Sequence, residues 1–408
     1  MSLPTRLLPT PRRRAAVVLA TALTVVSTLL LAPAPAIAGG SHGHGSHGPD
    51  GPPWTVVASG LDNPRQISID ESYSQHYGRR HGGDHGRGHG YGHKPVLYVA
   101  EAGRGGDGAC VEGPEGPACF GLSGAVTRVR HGHQARVVSG LPSLAAADGS
   151  QAIGPADVAV HGSWYAVTVG LGNDPAVRLD IPGGERLGTL LAGRFGGGQI
   201  EVADLAQSEA DEDPDGAGPD SNPTGLLTTH RGFVVTDSGA NALQAVSWHG
   251  DVSTLATFPE RLVPPPPFLP PGDIPMQSVP TSVVRGPDGA WYVSELTGFP
   301  FPADGARIYR VVPGQAPTVY ATGLTNVTDL AWHGRKLYAV QIAGDAGLLA
   351  AEGLPMGSLV RVDRDGSHKT VAEDLPAPYG VAIDDGNAYV TTCSVCAGEG
   401  GVVRIPLW

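Results

Sequence analysis

Residues 280–295 read PTSVVRGPDGAWYVSE. A proline opens a short apolar run, Asp288-Gly289 supplies the positive-φ turn of a tight hairpin, and a second run of the Trp-Tyr-Val kind follows. Such a pair is two consecutive antiparallel strands. ARIYRVVPG (306–314) and APTVYATGL (316–324) then supply a third and a fourth. Working outward, the same unit recurs from Pro64 (RQISID, then VLYVAEAG), Pro155 (ADVAVHGSWYAVTVG), Pro223 (TGLLTTHRGFVVTDSG), Val327 (TDLAWHGRKLYAVQ) and Pro378 (YGVAIDDGNAYVTT). The six starts lie 91, 68, 57, 47 and 51 residues apart. The shortest spacings match the ~40–50 residues of a four-stranded propeller blade, and the longer ones carry insertions.

A lone four-stranded unit leaves edges unpaired and an apolar face uncovered, which radial packing into a ring resolves. The last repeat has only three strands and ends in GGVVRIPLW. The folded part begins with an orphan strand, WTVVASGL, that reads like the fourth strands TVYATGL and ARVVSGL. The expectation is an all-β chain forming a six-bladed β-propeller of four-stranded blades, its ring closed by the N-terminal strand completing the last blade and so protecting an edge. One short helix is expected over 204–210, with Asp204 as N-cap and Gln207 completing a capping box.

The 408 residues carry Lys+Arg 27 and Asp+Glu 39, a formal charge of -12, which excludes a basic nucleic-acid binder. Gly 60 and Pro 37 with 41% hydrophobic residues describe a large, turn-rich core. At the N-terminus, Arg6, Arg12, Arg13 and Arg14 precede an uncharged apolar stretch, then Ala36-Ile37-Ala38. This reads as a Sec-type signal peptide over 1–38, cleaved after Ala38, giving a secreted, extracellular protein. Losing four arginines and no acid takes the charge from -12 to -16. Residues 39–53 are expected to form a disordered Gly/His/Pro tether, and 54–408 the propeller, with a His/Gly-rich insertion at about 71–94. No later apolar run nears the ~18 residues of a membrane span, so no stable membrane insertion is expected, and the chain is expected to be a monomer.

In a propeller, the fourth-to-first and second-to-third strand connections share one face around the channel. Asn63, Glu101, Asp157, Asn222, Asp237, Thr281, Glu295, Asp329 and Tyr379 fall there, with Phe299 in the loop after Glu295. Acceptors and amides around a channel suit a cation or a polyhydroxyl ligand, although singly such residues more often satisfy turn backbones. Asn63, Glu101, Asp157, Asn222, Thr281, Glu295, Phe299 and Asp329 are the candidate ligand site, for a small molecule, glycan or protein. Of 15 histidines, eight lie before Lys94 in Gly-His tracts, able to chelate metal, and the rest sit at or near hairpins. No imidazole therefore accompanies Glu101, Asp237 or Glu295 for acid–base chemistry. Asp211, Asp213 and Asp215 with Gly216 match the start of a calcium loop, with Asp220 downstream, but Asn222 stands where the closing bidentate Glu belongs. The four cysteines suit disulfides in an oxidising compartment. Local pairs (Cys110 with Cys119, Cys393 with Cys396), cross-blade pairs and a zinc site are the alternatives.

VAEAGRGGDGAC (99–110), GLSGAVTRV (121–129), VADLAQSEADEDPDG (202–216), DSNPTGLL (220–227) and VPTSVVRGPDGAWYVSELTGFPFP (279–302) resemble the ScyD/ScyE family of exported proteins, named for genes linked to scytonemin biosynthesis. The resemblance covers nearly all of 54–408. It implies a six-bladed propeller of the NHL/SMP-30-like kind and brings no defined molecular activity. Asp211 and Asp213 stand where relatives are often amide-rich, so the family does not imply calcium. Two functional expectations follow. The first is a secreted binding or scaffold module with its site on the loop face. The alternative is a divalent-metal-dependent hydrolase, lactonase or lyase with Glu101, Asn222, Asp237 or Glu295 holding the ion.

Overall fold

A computed structural model describes residues 54–70, 95–113, 116–344 and 346–407. The expected signal peptide (1–38), tether (39–53) and His/Gly insertion (71–94) lie outside the described residues. Within them the chain is built from antiparallel sheets, each a meander with strands paired in sequence order. Sheet 1 comprises Pro64–Ile69, Leu97–Glu101, Gly116–Arg130 and His133–Ala145, with Cys110–Gly113 paired onto the third strand. Sheet 2 comprises Pro155–His161, Trp164–Val169, Thr189–Arg194 and Gln199–Asp204, and sheet 3 Pro223–Thr229, Gly232–Asp237, Ala242–Ser247 and Val252–Thr257. Sheet 4 comprises Pro280–Arg285, Trp291–Glu295, Ala306–Val311 and Thr318–Leu324, and sheet 5 Val327–His333, Lys336–Gln341, Met356–Val362 and His368–Pro376. In sheet 6, Val381–Asp384, Asn387–Thr392 and Gly400–Pro406 are joined by Thr55–Leu61, which pairs antiparallel with Gly400–Pro406.

The first strands of successive sheets are neighbours, and that of sheet 6 neighbours that of sheet 1. Apolar clusters fill the gaps between sheets. Val126 and Val138 of sheet 1 meet Val158 and Val167 of sheet 2, while Leu61 and Val402 of sheet 6 meet Ile67 and Leu97 of sheet 1. The period-2 alternation of each strand sends residues toward both neighbouring sheets, so each sheet is apolar on two faces. This arrangement is consistent with a β-propeller.

A register shift interrupts the first strand of sheets 1 to 5 at the same place, as between Pro64 and Ile67 and between Pro280 and Val283. A bulge re-aims the side chains beside it, here those after the opening residue. Inner strands approach closely at that level. A Cβ on Gly225 would stand 2.8 Å from the Ser282 Cα, and one on Gly380 2.6 Å from the Gln66 Cα.

Both disulfides are local, Cys110–Cys119 and Cys393–Cys396. They suit an oxidising, extracellular environment. Among the described residues no helix is long and apolar enough to cross a membrane.

Three details depart from the sequence reading. The helix, α1, runs Leu205–Glu212, and while Asp204 caps it by accepting from the Gln207 N–H (2.9 Å), the Gln207 side chain donates to Asp211 instead of closing a capping box. Three 3₁₀ turns accompany it, at Pro175–Asp180, Gly184–Arg186 and Leu348–Ala350. A further hairpin, Arg261–Val263 paired with Ile274–Met276, brackets the proline-rich connection over 264–271.

Candidate functional site

A cavity of about 520 Å³ opens where the strands following Pro64, Pro155, Pro223 and Pro378 begin. Ile153, Leu296, Phe301, Ile342, Leu348 and Val395 give it apolar walls. Its polar groups include Arg65, Gln151, Asn222, Thr224 and Tyr379. Arg65 stands immediately after the opening proline, its guanidinium carbon 4.9 Å from the centre of the Tyr379 ring and one N–H donating to the Ala152 carbonyl (2.6 Å). Among the described residues no carboxylate forms an ion pair with it. Burial lowers the guanidinium pKa, partly offset by attraction to Tyr379, whose own hydroxyl is pushed up by burial.

Of the expected ligand residues, only Asn222 lines this cavity, and its Oδ1 accepts from the Leu171 N–H (3.2 Å). Phe299 is 41% exposed and packs edge-on against Phe301, which does line the cavity. Asn63, Glu101 and Glu295 are completely buried and spent on structure. Asn63 donates to the carbonyls of Gly103 (2.7 Å) and Gly149 (2.8 Å), holding two loops together. Glu101 accepts from Arg136 (3.1 and 2.8 Å), the Thr127 hydroxyl (2.5 Å) and the Asp62 N–H (2.7 Å). Glu295 is held by Arg261, which comes from the proline-flanking hairpin, and by Ser278 (2.8 Å) and Tyr309 (3.3 Å). Thr281 is buried, bonding Ser294 and the Val327 carbonyl.

Asp157 and Asp329 correct the expectation of a single rim. They lie one residue deeper than the mouth cavity and line a second cavity of about 250 Å³ with Gln66, Ser282 and Trp332. The inner-strand bulge turns them there. Asp329 accepts from the Ser282 hydroxyl (2.5 Å) and the N–H groups of Val381 (2.7 Å) and Leu330 (2.8 Å). Asp157 accepts from the Leu226 and Val158 N–H groups (2.8 and 2.7 Å). Burial pushes Asp329 up to about 7 despite these bonds. Asp157 is raised well above the usual carboxylate range, by burial first and by the charge of Asp329 second.

The third site is acidic. Glu209 of α1, Asp213 and Asp215 bring carboxylate oxygens within 4.8 Å of one another, and no other such group of three acids, histidines or cysteines occurs among the described residues. This trio shares only Asp213 and Asp215 with the expected calcium loop. Because α1 continues through Glu212, Asp211 is helical, exposed and bonded to Gln207 (2.9 Å), while Glu209, unrecognised in the sequence, turns inward. Asp220 stays near enough to feel the charge of Asp215 but is not one of the three. Burial, then Asp237 and Asp215, push Glu209 up to about 8. Asp237 is pushed up to about 6 by burial, partly offset by N–H donors such as that of Asn222.

A pattern of acceptors on loops does not single out Arg65, Arg136 or Arg261, which are cations, or Glu209, which lies within a helix. Arg65 was legible in the repeats, since it occupies the register of Ala156, Thr224, Thr281, Thr328 and Tyr379, where no other copy places a charge.

No family model matches the chain, and no curated protein matches it. Among solved structures it is similar to a luciferin-regenerating enzyme, with a TM-score of 0.46, 8% identity, and 87% of this chain and 95% of that one covered. It is similar to a structural-genomics target assigned by family to the gluconolactonases, with 0.45, 9%, and 88% and 95% covered. A gluconolactonase from Xanthomonas campestris gives 0.32, 14%, and 66% and 90%. All three TM-scores are below 0.5, and the fold described above rests on the strand pairings.

Proposed function

We propose that this is an exported protein of the ScyD/ScyE type, a six-bladed β-propeller over 54–408 closed by its N-terminal strand, which acts as a monomeric binding module for a small organic anion at the mouth cavity. A signal peptide cut after Ala38 and a flexible tether over 39–53 complete the reading, with no role for nucleic acid or membrane insertion. One observation carries it. Arg65 presents a desolvated positive charge to an open, apolar-walled cavity with an aromatic ring as its neighbour and no carboxylate partner among the described residues. Buried charges are normally paired, and a guanidinium matches a carboxylate in two-pronged geometry. A carboxylate with an aromatic or aliphatic body therefore fits better than a bare sugar. Titration with benzoate, cinnamate and octanoate, against the corresponding alcohols, tests this. The acids bind the native protein, and Arg65→Gln weakens them by at least about tenfold, the loss of a charge-assisted bond. Equal binding of acids and alcohols, or none, removes the reading.

The second reading is a divalent-metal-dependent hydrolase or lyase, lactone hydrolysis being the activity that two neighbours' names describe. Glu101 and Glu295 do not fit a shared ion, because both are committed to arginines. What favours this reading is the acidic group beside α1, which has the donor chemistry for a divalent cation such as calcium. Turnover of gluconolactone that disappears on adding a chelator would establish it. Inertness toward the lactone leaves the binding reading.

A further inference from the structure

The connection from α1 into sheet 3 gathers negative charge, and among the described residues no lysine, arginine or histidine forms an ion pair with Glu209, Asp213, Asp215 or Asp220. Glu209 has 0% of its surface exposed, and neither of its carboxylate oxygens has a hydrogen-bond partner. Only the main-chain amide of Asp220 eases its charge. It sits one helical turn before Asp213, which caps the C-terminus of α1 in the left-handed conformation (φ 40°). A helix C-terminus repels negative charge through its unpaired carbonyls, so the end of α1 does not by itself account for burying an acid there.

The neighbouring carboxylates are held in place from their outer sides. One Asp213 oxygen accepts from the Gly218 N–H (3.2 Å). Asp215 accepts from the Ala217 N–H (2.8 Å) and the Asn241 amide (2.9 Å), and the same Asn241 accepts from the Val279 N–H (2.9 Å) at the entrance to sheet 4. A further oxygen of Asp220 is buried without a partner nearby. An unpartnered buried carboxylate is costly unless it is paired or coordinates a metal. Asp237, Asp215 and Asp213 lie close enough to Glu209 to add to that cost.

We propose that Glu209, Asp213 and Asp215 bind a calcium ion that fastens the end of α1 to sheet 3 and, through Asn241, to sheet 4. All the donors are oxygens, with neither imidazole nor thiolate among them, which selects a hard cation. Several direct carboxylates spread over a helix end and an irregular loop suit the flexible shell of calcium. Magnesium demands near-octahedral geometry and keeps most of its water. The ion supplies the missing counter-charge to Glu209 and converts a repelling group into a cross-link. None of the three residues lines the mouth cavity, so the site stands whether or not an anion binds there.

The test uses the exported chain, stripped with EDTA and dialysed, in isothermal titration and thermal unfolding with calcium chloride or magnesium chloride. Calcium binds at one ion per chain and raises the unfolding midpoint by about 3 °C at a hundredfold excess over Kd, while magnesium does less. Glu209→Gln abolishes that rise and, in calcium-free buffer, unfolds at or above the wild-type midpoint, because the buried charge is gone. Asp215→Asn also abolishes the rise and decides the matter should Glu209→Gln not fold. Asp211→Asn keeps it. A wild-type chain that shows neither heat nor shift up to about 10 mM calcium, where even weak extracellular sites are filled, overturns the proposal. So does a rise that survives both Glu209→Gln and Asp215→Asn, or one that Asp211→Asn removes.

Discussion

Glu101 and Glu295 end the second strands of sheets 1 and 4, and Asp237 ends that of sheet 3, where Glu209 comes close from α1. At the first two places the chain delivers an arginine, Arg136 from the fourth strand of sheet 1 and Arg261 from the hairpin before sheet 4. At the third it delivers more acid. The residue type and its place in the repeat are shared, yet the outcomes differ. A carboxylate locked in a two-pronged ion pair has no free oxygen for a ligand and serves as a fastening for loops. One left unpaired, like Glu209 beside α1 or Asp329 in the channel, holds its proton to unusually high pH or takes a cation. Among the buried carboxylates, those open to a proton or a cation are therefore the ones that no arginine meets.

The comparison is broken most directly at Arg261. Arg261→Met strands a fully buried Glu295 and should cost about 3–5 kcal/mol in urea unfolding, with the Arg261→Met/Glu295→Met double variant recovering most of it. A single-variant cost under about 1 kcal/mol would mean that the pair is not what fixes this rim.

The channel acids give the next effect, through pH. Asp329 is raised to about 7 from 3.8, so the folded state holds a proton that the unfolded state releases. The associated stability is full below about pH 4 and is lost as pH rises through about 7. Three units correspond to at most about 4 kcal/mol, with Asp157 in the same cavity titrating in concert. Unfolding measured from pH 4 to 8 should show that decline, and Asp329→Asn should make it shallower, with Glu209 and Asp237 accounting for the slope that remains. A wild-type profile already flat over that range would put the channel acids in the same class as the rim pairs.

The smallest effect is expected at Arg136. It is 43% exposed, and Arg104 shares its partner Asp62, so Arg136→Gln should cost only about 1–2 kcal/mol. A loss equal to that at Arg261 would show that exposure does not grade these pairs.

Period-2 alternation, the Asp-Gly turns and the recurring strand pair determined by themselves that this chain is all-β, made of repeated four-stranded meanders, with an orphan first strand suited to the edge of the last sheet. Those features are local, and local sterics and hydrophobic patterning decide them within a few residues. The N-cap at Asp204 was legible for the same reason. The tertiary structure decided everything that depends on pairs distant in sequence. Arg261 meets Glu295, Asp157 and Asp329 turn below the mouth because a bulge rotates the inner strand, and Arg65 comes to rest over Tyr379. Two more helical residues than expected sent Asp211 outward and left Glu209 as the inward acid. Charge pairing depends on distances of a few ångströms between segments that only the packed sheets bring together, and composition and spacing do not encode those distances.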